Sequence, residues 1–133
     1  SLALYNVFVE SMGIPFQRIV YEKNDVFQYD FAQDFWFARP KAADDSRYYV
    51  HRANSSDEAA ALYDKLLENH LYDYTVVEEG ANKVVLKHNF LNNYLALARF
   101  ENTIYGFEGA PDVNSIERAL ITLTDALFED EEI

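Results

Sequence analysis

The sequence predicts an α+β fold: an antiparallel sheet of about six or seven strands, two helices packed on it and a short N-terminal helix. Three observations predict it. Aromatic and β-branched residues recur in short runs broken by polar pairs, as in antiparallel strands. Two longer segments, starting near Ser56 and near Asn114, carry apolar residues at helical spacing behind polar caps. No internal repeat and no Gly/Ser/Pro-rich linker divides the 133 residues, so one domain spanning residues 1–133 is expected.

Leu4, Phe8 and Met12 recur every four residues, and Gly13 followed by Pro15 supplies a left-handed cap and a residue that cannot continue a helix. These mark the N-terminal helix. Phe16–Tyr21 and Val26–Phe31 flank Asn24-Asp25 and predict a hairpin. In the second arm Phe27, Tyr29 and Phe31 alternate with Gln28 and Asp30, the period of a strand with one buried face. The run Phe35-Trp36-Phe37 stops at Arg39-Pro40, and a loop through Asp44-Asp45-Ser46 leads to a strand at Tyr48-Tyr49-Val50.

Asn54-Ser55-Ser56 then opens a helix over 56–69, with Glu58 three residues after Ser55 as in a capping box. Ala59, Leu62, Leu66 and His70 form its buried stripe. Tyr72–Glu78 and Lys83–His88 flank Glu79-Gly80-Ala81-Asn82, a hairpin connection, and Tyr94–Phe100 and Thr103–Phe107 flank Glu101-Asn102, a second one. Ile116, Leu120, Leu123 and Leu127 mark a closing helix over 114–128, for which Asn114 with Glu117 is the predicted cap. The acidic tail, residues 129–133, is expected to fray because its charges sit at the negative end of that helix. Both long helices are expected on one face of the sheet, in two layers.

Composition restricts function. Eleven basic against 23 acidic residues give a formal charge of -12, which opposes phosphate neutralisation and excludes nucleic acid and anionic membrane surfaces as expected partners. No apolar run approaches the roughly 18 to 20 residues of a membrane-spanning helix, so a soluble segment is expected. Half the residues are hydrophobic and 16% aromatic, enough to fold unaided. Cysteine is absent, which removes disulfides, thiolate metal sites and cysteine nucleophiles.

Known chemical motifs are missing. His51, His70 and His88 fall in different predicted elements without a second ligand at metal-binding spacing, so no metal site is assigned. His70, ending a helix, is expected to interact with the last carbonyls. There is no Gly-x-Ser-x-Gly turn for a serine nucleophile, and four scattered glycines cannot build a phosphate loop. Asp44-Asp45 and Glu78-Glu79 read as solvated pairs, and Asn54-Ser55-Ser56, although it matches a glycosylation acceptor, already has a role as a helix cap. No catalytic residue and no cofactor is assigned.

The unusual feature is aromatic density between Phe27 and Tyr49. Rings of this size fill the space between sheet and helices. Strand alternation also leaves Trp36 and Tyr49 as candidates for an outer face, and these two residues are the predicted ligand or partner surface.

The segment Tyr94-Leu95-Ala96-Leu97-Ala98-Arg99-Phe100 through Ile104-Tyr105-Gly106-Phe107-Glu108-Gly109, followed by a capped amphipathic helix, resembles the end of small exported bacterial α+β domains, some of them lipoproteins. The resemblance covers about the last third of the chain, implies export or membrane anchoring through a segment outside this chain, and carries over no site residue. The opening Ser1-Leu2-Ala3-Leu4-Tyr5, without methionine, is compatible with a chain cut after a signal segment. The leading expectation is therefore a noncatalytic module, the soluble part of an envelope protein, that binds a protein or small ligand. The alternative is an enzyme whose carboxylates or tyrosines are assembled from distant positions. A third, an acidic mimic of nucleic acid, rests on net charge alone.

Overall fold

The structure, a computed structural model, describes residues 2–129. Helix α1 (Leu2–Asn6) continues as a single π turn over Val7–Ser11, burying Leu4 and Phe8, and ends at Gly13 with φ of 66°. Helix α2 (Ser56–His70) starts as the sequence predicts: the Ser55 hydroxyl accepts a hydrogen bond from the Glu58 amide at 3.1 Å. Helix α3 spans Val113–Phe128. Its cap is Asp112, whose carboxylate accepts from the Ser115 amide at 2.7 Å, and not the expected Asn114. The helix begins one residue earlier than the pattern suggested, which moves the capping position upstream. Of the acidic tail expected to fray, residues 130–133 lie outside the described residues.

Seven strands form one antiparallel sheet: β1 (Ile19–Glu22), β2 (Phe35–Ala38), β3 (Arg47–Arg52), β4 (Tyr74–Glu79), β5 (Lys83–His88), β6 (Tyr94–Phe100) and β7 (Thr103–Ala110). Their order is β1-β2-β3-β7-β6-β5-β4. A three-stranded meander thus runs into α2, which carries the chain to the far edge, and a four-stranded meander returns to pair β7 with β3 from Arg47↔Glu108 to Arg52↔Thr103. A bulge at Gly109, with φ of 86°, ends the regular pairing of β7 with β6 beside Glu108.

The sheet is covered on both faces, in three layers rather than the expected two. Leu4, Phe8 and the stripe Ile116, Leu120, Leu123 and Phe128 pack on Tyr48, Val50, Ala96, Ala98, Tyr105 and Phe107. On the other face Ala59 and Leu66 of α2 pack on Phe37, Tyr49, Leu86, Leu95, Leu97 and Ile104. The physical reason is visible in β6, where Leu95, Ala96, Leu97 and Ala98 are all buried: a strand apolar at consecutive positions has two faces to cover.

The expected hairpin of Phe16–Tyr21 with Val26–Phe31 does not form. β1 pairs instead with β2, from Ile19↔Ala38 to Glu22↔Phe35. Residues 23–34 make a folded loop in which Asp25, Phe27, Gln28 and Asp34 adopt positive φ of 53°, 56°, 68° and 63°. Such left-handed residues cannot lie in a strand. The loop closes on itself through Val26 N to Ala32 O at 3.0 Å and Tyr29 N to Val26 O at 3.0 Å. Its strain is offset by burial: the Phe27 ring stands edge-on to Phe35, Phe37, Tyr49 and His70, with centroids 5.1 to 5.8 Å away.

Candidate functional site

On the α2 face, several elements bring polar side chains together. β3 begins at Arg47, β7 nears its end at Glu108, β5 ends at His88, β4 begins at Tyr74, and α2 ends at His70. Glu22 reaches in from edge strand β1, and the strained loop contributes Asp25, Phe27, Gln28 and Tyr29. These residues, with Asp73 and Leu95, line a cleft of about 440 Å³. Its size lies within the range of small-molecule sites, roughly 300 to 1,000 Å³.

His70 is 3% exposed and packs among Phe27, Tyr29 and Tyr74. The Tyr29 hydroxyl lies 3.0 Å from its Nδ1, while Nε2 has no partner. Burial lowers the imidazole pKa to about 4, with nearby Asp73 opposing that shift, so the ring is neutral at pH 7. The expected interaction of a charged His70 with the last carbonyls of α2 is not what the structure shows: the ring is turned into the aromatic cluster, where a proton would be desolvated.

Arg47 is held on three sides. Its Nη1 donates to Glu22 Oε2 at 3.0 Å, its Nε lies 3.7 Å from Glu108 Oε2, and its guanidinium sits 3.7 Å above the Phe37 ring. Glu108 Oε2 accepts no hydrogen bond. Burial pushes the Glu108 carboxyl above its usual range, Arg47 pulls it down and Glu22 pushes it up. Tyr74 is raised to about 12, first by burial and then by Glu108, Tyr29 and Asp73. Tyr29 is raised by burial and by Asp73. Several half-buried titratable groups with shifted proton affinities thus converge with buried His70 in one concave place, which makes it the candidate site.

A wider groove of about 820 Å³ lies between the β3–β7 sheet and α3, lined by Ser46, Tyr48, Phe107, Ser115, Arg118 and Thr122 among others. It shares Tyr74 and Glu108 with the smaller cleft. The site is placed in the smaller cleft because buried His70, with its unpartnered Nε2, and the Arg47–Glu22 ion pair line it and do not line the wider groove.

The two residues predicted to form an outer surface do not do so together. Tyr49 is 0% exposed, and its hydroxyl donates to the Ala96 carbonyl at 2.6 Å, across Gly106, its register partner in β7. Its expected outer-face position is corrected, because α2 and the 23–34 loop cover that face. Trp36 points to the opposite face, half-buried between Tyr5 and Tyr21 at centroid distances of 5.6 and 5.0 Å. His51 stacks on Phe35, and His88 Nδ1 accepts from the Phe90 and Leu91 amides at 3.1 and 3.0 Å. Among the described residues no three His, Asp or Glu side chains are grouped to hold a metal ion, and no helix is long and apolar enough to cross a membrane. Sequence reading missed Tyr29, Arg47, Tyr74 and Glu108. Only His70 left a signal, as a histidine on an apolar helix stripe.

The chain matches no family model, no curated protein and no solved structure.

Proposed function

We propose that this chain is a noncatalytic binding module and that its binding site is the cleft between the 23–34 loop, the end of α2 and the sheet. The observation that carries this reading is the unpartnered Nε2 of His70, a buried polar atom beside a concave space lined by Arg47, Glu108, Tyr29 and Tyr74. A buried polar atom without a partner costs about 1 to 3 kcal/mol, which a ligand hydrogen bond would recover once a side-chain movement opens Nε2 to the cleft. The static pairing of Arg47 and the low basicity of His70 suit binding better than proton transfer near pH 7.

A saturation-transfer NMR screen of small polar fragments, run on the wild type and on Asp73→Trp, tests the reading. Asp73 is an exposed cleft residue, and a large ring there fills the mouth. Hits lost in the variant support the site; hits retained unchanged would remove it.

The enzyme reading has one observation in its favour: the Glu108 carboxyl, raised by burial, faces the same cleft as Tyr29 and Tyr74. It requires that fragment hits be converted to product and that Glu108→Gln abolish the conversion. The placement in a bacterial envelope is supported by the resemblance of the last third of the chain to exported domains. Recovery of the native protein in the cytoplasmic fraction alone would overturn it.

A further inference from the structure

We propose that the ligand of this cleft is a small organic ammonium ion. The inference rests on the cleft being a binding site and names what it takes. Four carboxylates, Glu22, Asp25, Asp73 and Glu108, line it against one permanent cation, Arg47. That cation is already occupied by Glu22 and Glu108 and by the face of Phe37, so an anionic ligand finds no free positive partner. A cationic ligand finds several acceptors. The Asp25 and Asp73 carboxylates are exposed and make no ion pair among the described residues, and His70, with only 3% of its surface exposed, lines the cleft with Nε2 unpaired.

Two further features select positive charge. α2 ends at His70, so the negative end of its dipole faces the cleft. The rings of Phe27, Tyr29 and Tyr74 line the space, and aromatic faces attract ammonium groups. A metal ion is a poorer fit, since the described residues hold no cluster of three metal-ligating side chains. When the ligand is bound, the His70 Nδ1 proton donates to the Tyr29 oxygen and the Nε2 lone pair accepts from the ammonium, or an alkylated ammonium rests on the rings.

The test titrates the folded chain with 1,4-diaminobutane and tetramethylammonium as chlorides, and with sodium acetate, sodium phosphate and glucose, at constant ionic strength. Binding is read by calorimetry, backbone amide shifts and the ¹⁵N shift of His70 Nε2. The expected result is that an ammonium compound moves cleft resonances and the His70 nitrogen, while Glu108→Gln weakens binding about tenfold, the effect of losing one charge-assisted contact of ~1.4 kcal/mol. Should Glu108→Gln impair folding, the exposed Asp73→Asn replaces it, with a weakening of about threefold expected from the lost charge. Acetate, phosphate or glucose moving the cleft while the ammonium compounds do not would overturn the ligand class and leave the site standing. Silence from all five probes would also overturn it, and the fragment screen decides the site independently.

Discussion

The Tyr29 hydroxyl lies 3.0 Å from Nδ1 of His70 and joins the strained 23–34 loop to the last residue of α2. The two residues are separated by 41 positions, and their contact closes the cleft on one side. Removing the hydroxyl leaves a second nitrogen of a buried ring unpaired. Tyr29→Phe is therefore expected to lower stability by about 1 to 2 kcal/mol, read as a shift of the urea midpoint at unchanged slope.

Stability should depend on pH through His70. The unfolded imidazole titrates near 6.5 and the folded one near 4, so between these values the unfolded chain takes up a proton that the folded chain refuses. The contribution is complete above pH 6.5 and is lost as pH falls toward 4, amounting to about 3 kcal/mol at most. Glu108 acts in the opposite sense, since its raised pKa lets the folded chain take up a proton first on acidification. Comparing wild type with His70→Phe between pH 7.5 and 4.5 isolates the histidine: the variant should lack its downward slope. Parallel curves for the two proteins would count against a buried neutral imidazole.

Gly106 leaves room for the Tyr49 phenol to cross β7 and reach the Ala96 carbonyl. A Cβ at position 106 would overlap both the phenol and that backbone oxygen. Gly106→Ala should cost about 3 kcal/mol or more, and adding Tyr49→Phe should not rescue it because the carbonyl stays in place. Thermal melts of the two single variants and the double variant check this, and full rescue would show that the phenol alone sets the constraint.

At the head of α3 the carboxylate of Asp112, not the amide of Asn114, holds the free backbone N–H. Asp112→Ala is expected to destabilise by about 1 kcal/mol and Asn114→Ala to change little. Equal losses would mean that the helix start is shared between them.

The strands, helices and hairpin turns of the second half were legible because each was bounded by local chemistry. Ser55 capped α2, and the polar pair Glu101-Asn102 separated two apolar runs. Residues 26–31 were misread because Phe27, Tyr29 and Phe31 alternate as in a strand, yet burial of Phe27 among four rings outweighs local preference and holds the backbone at positive φ. The continuous apolar runs of β2, β3, β5, β6 and β7 did carry the three-layer arrangement, and the alternation of Phe27, Tyr29 and Phe31, which lie in no strand, pointed instead to one buried face. The cleft was illegible for a different reason. Glu22, Arg47, His70 and Glu108 come from four elements, and only the long-range pairing of β3 with β7 puts Arg47 opposite Glu108.

The measurement that bears most directly on the cleft is backbone amide shift mapping of the wild-type chain against a set of small polar fragments. Shifts are expected to concentrate at Gln28, Tyr29, Arg47, His70, Asp73 and Glu108. Shifts confined to the wide groove at Ser46, Ser115, Arg118 and Thr122, or to the exposed Tyr72 and Phe90, would contradict this placement of the site.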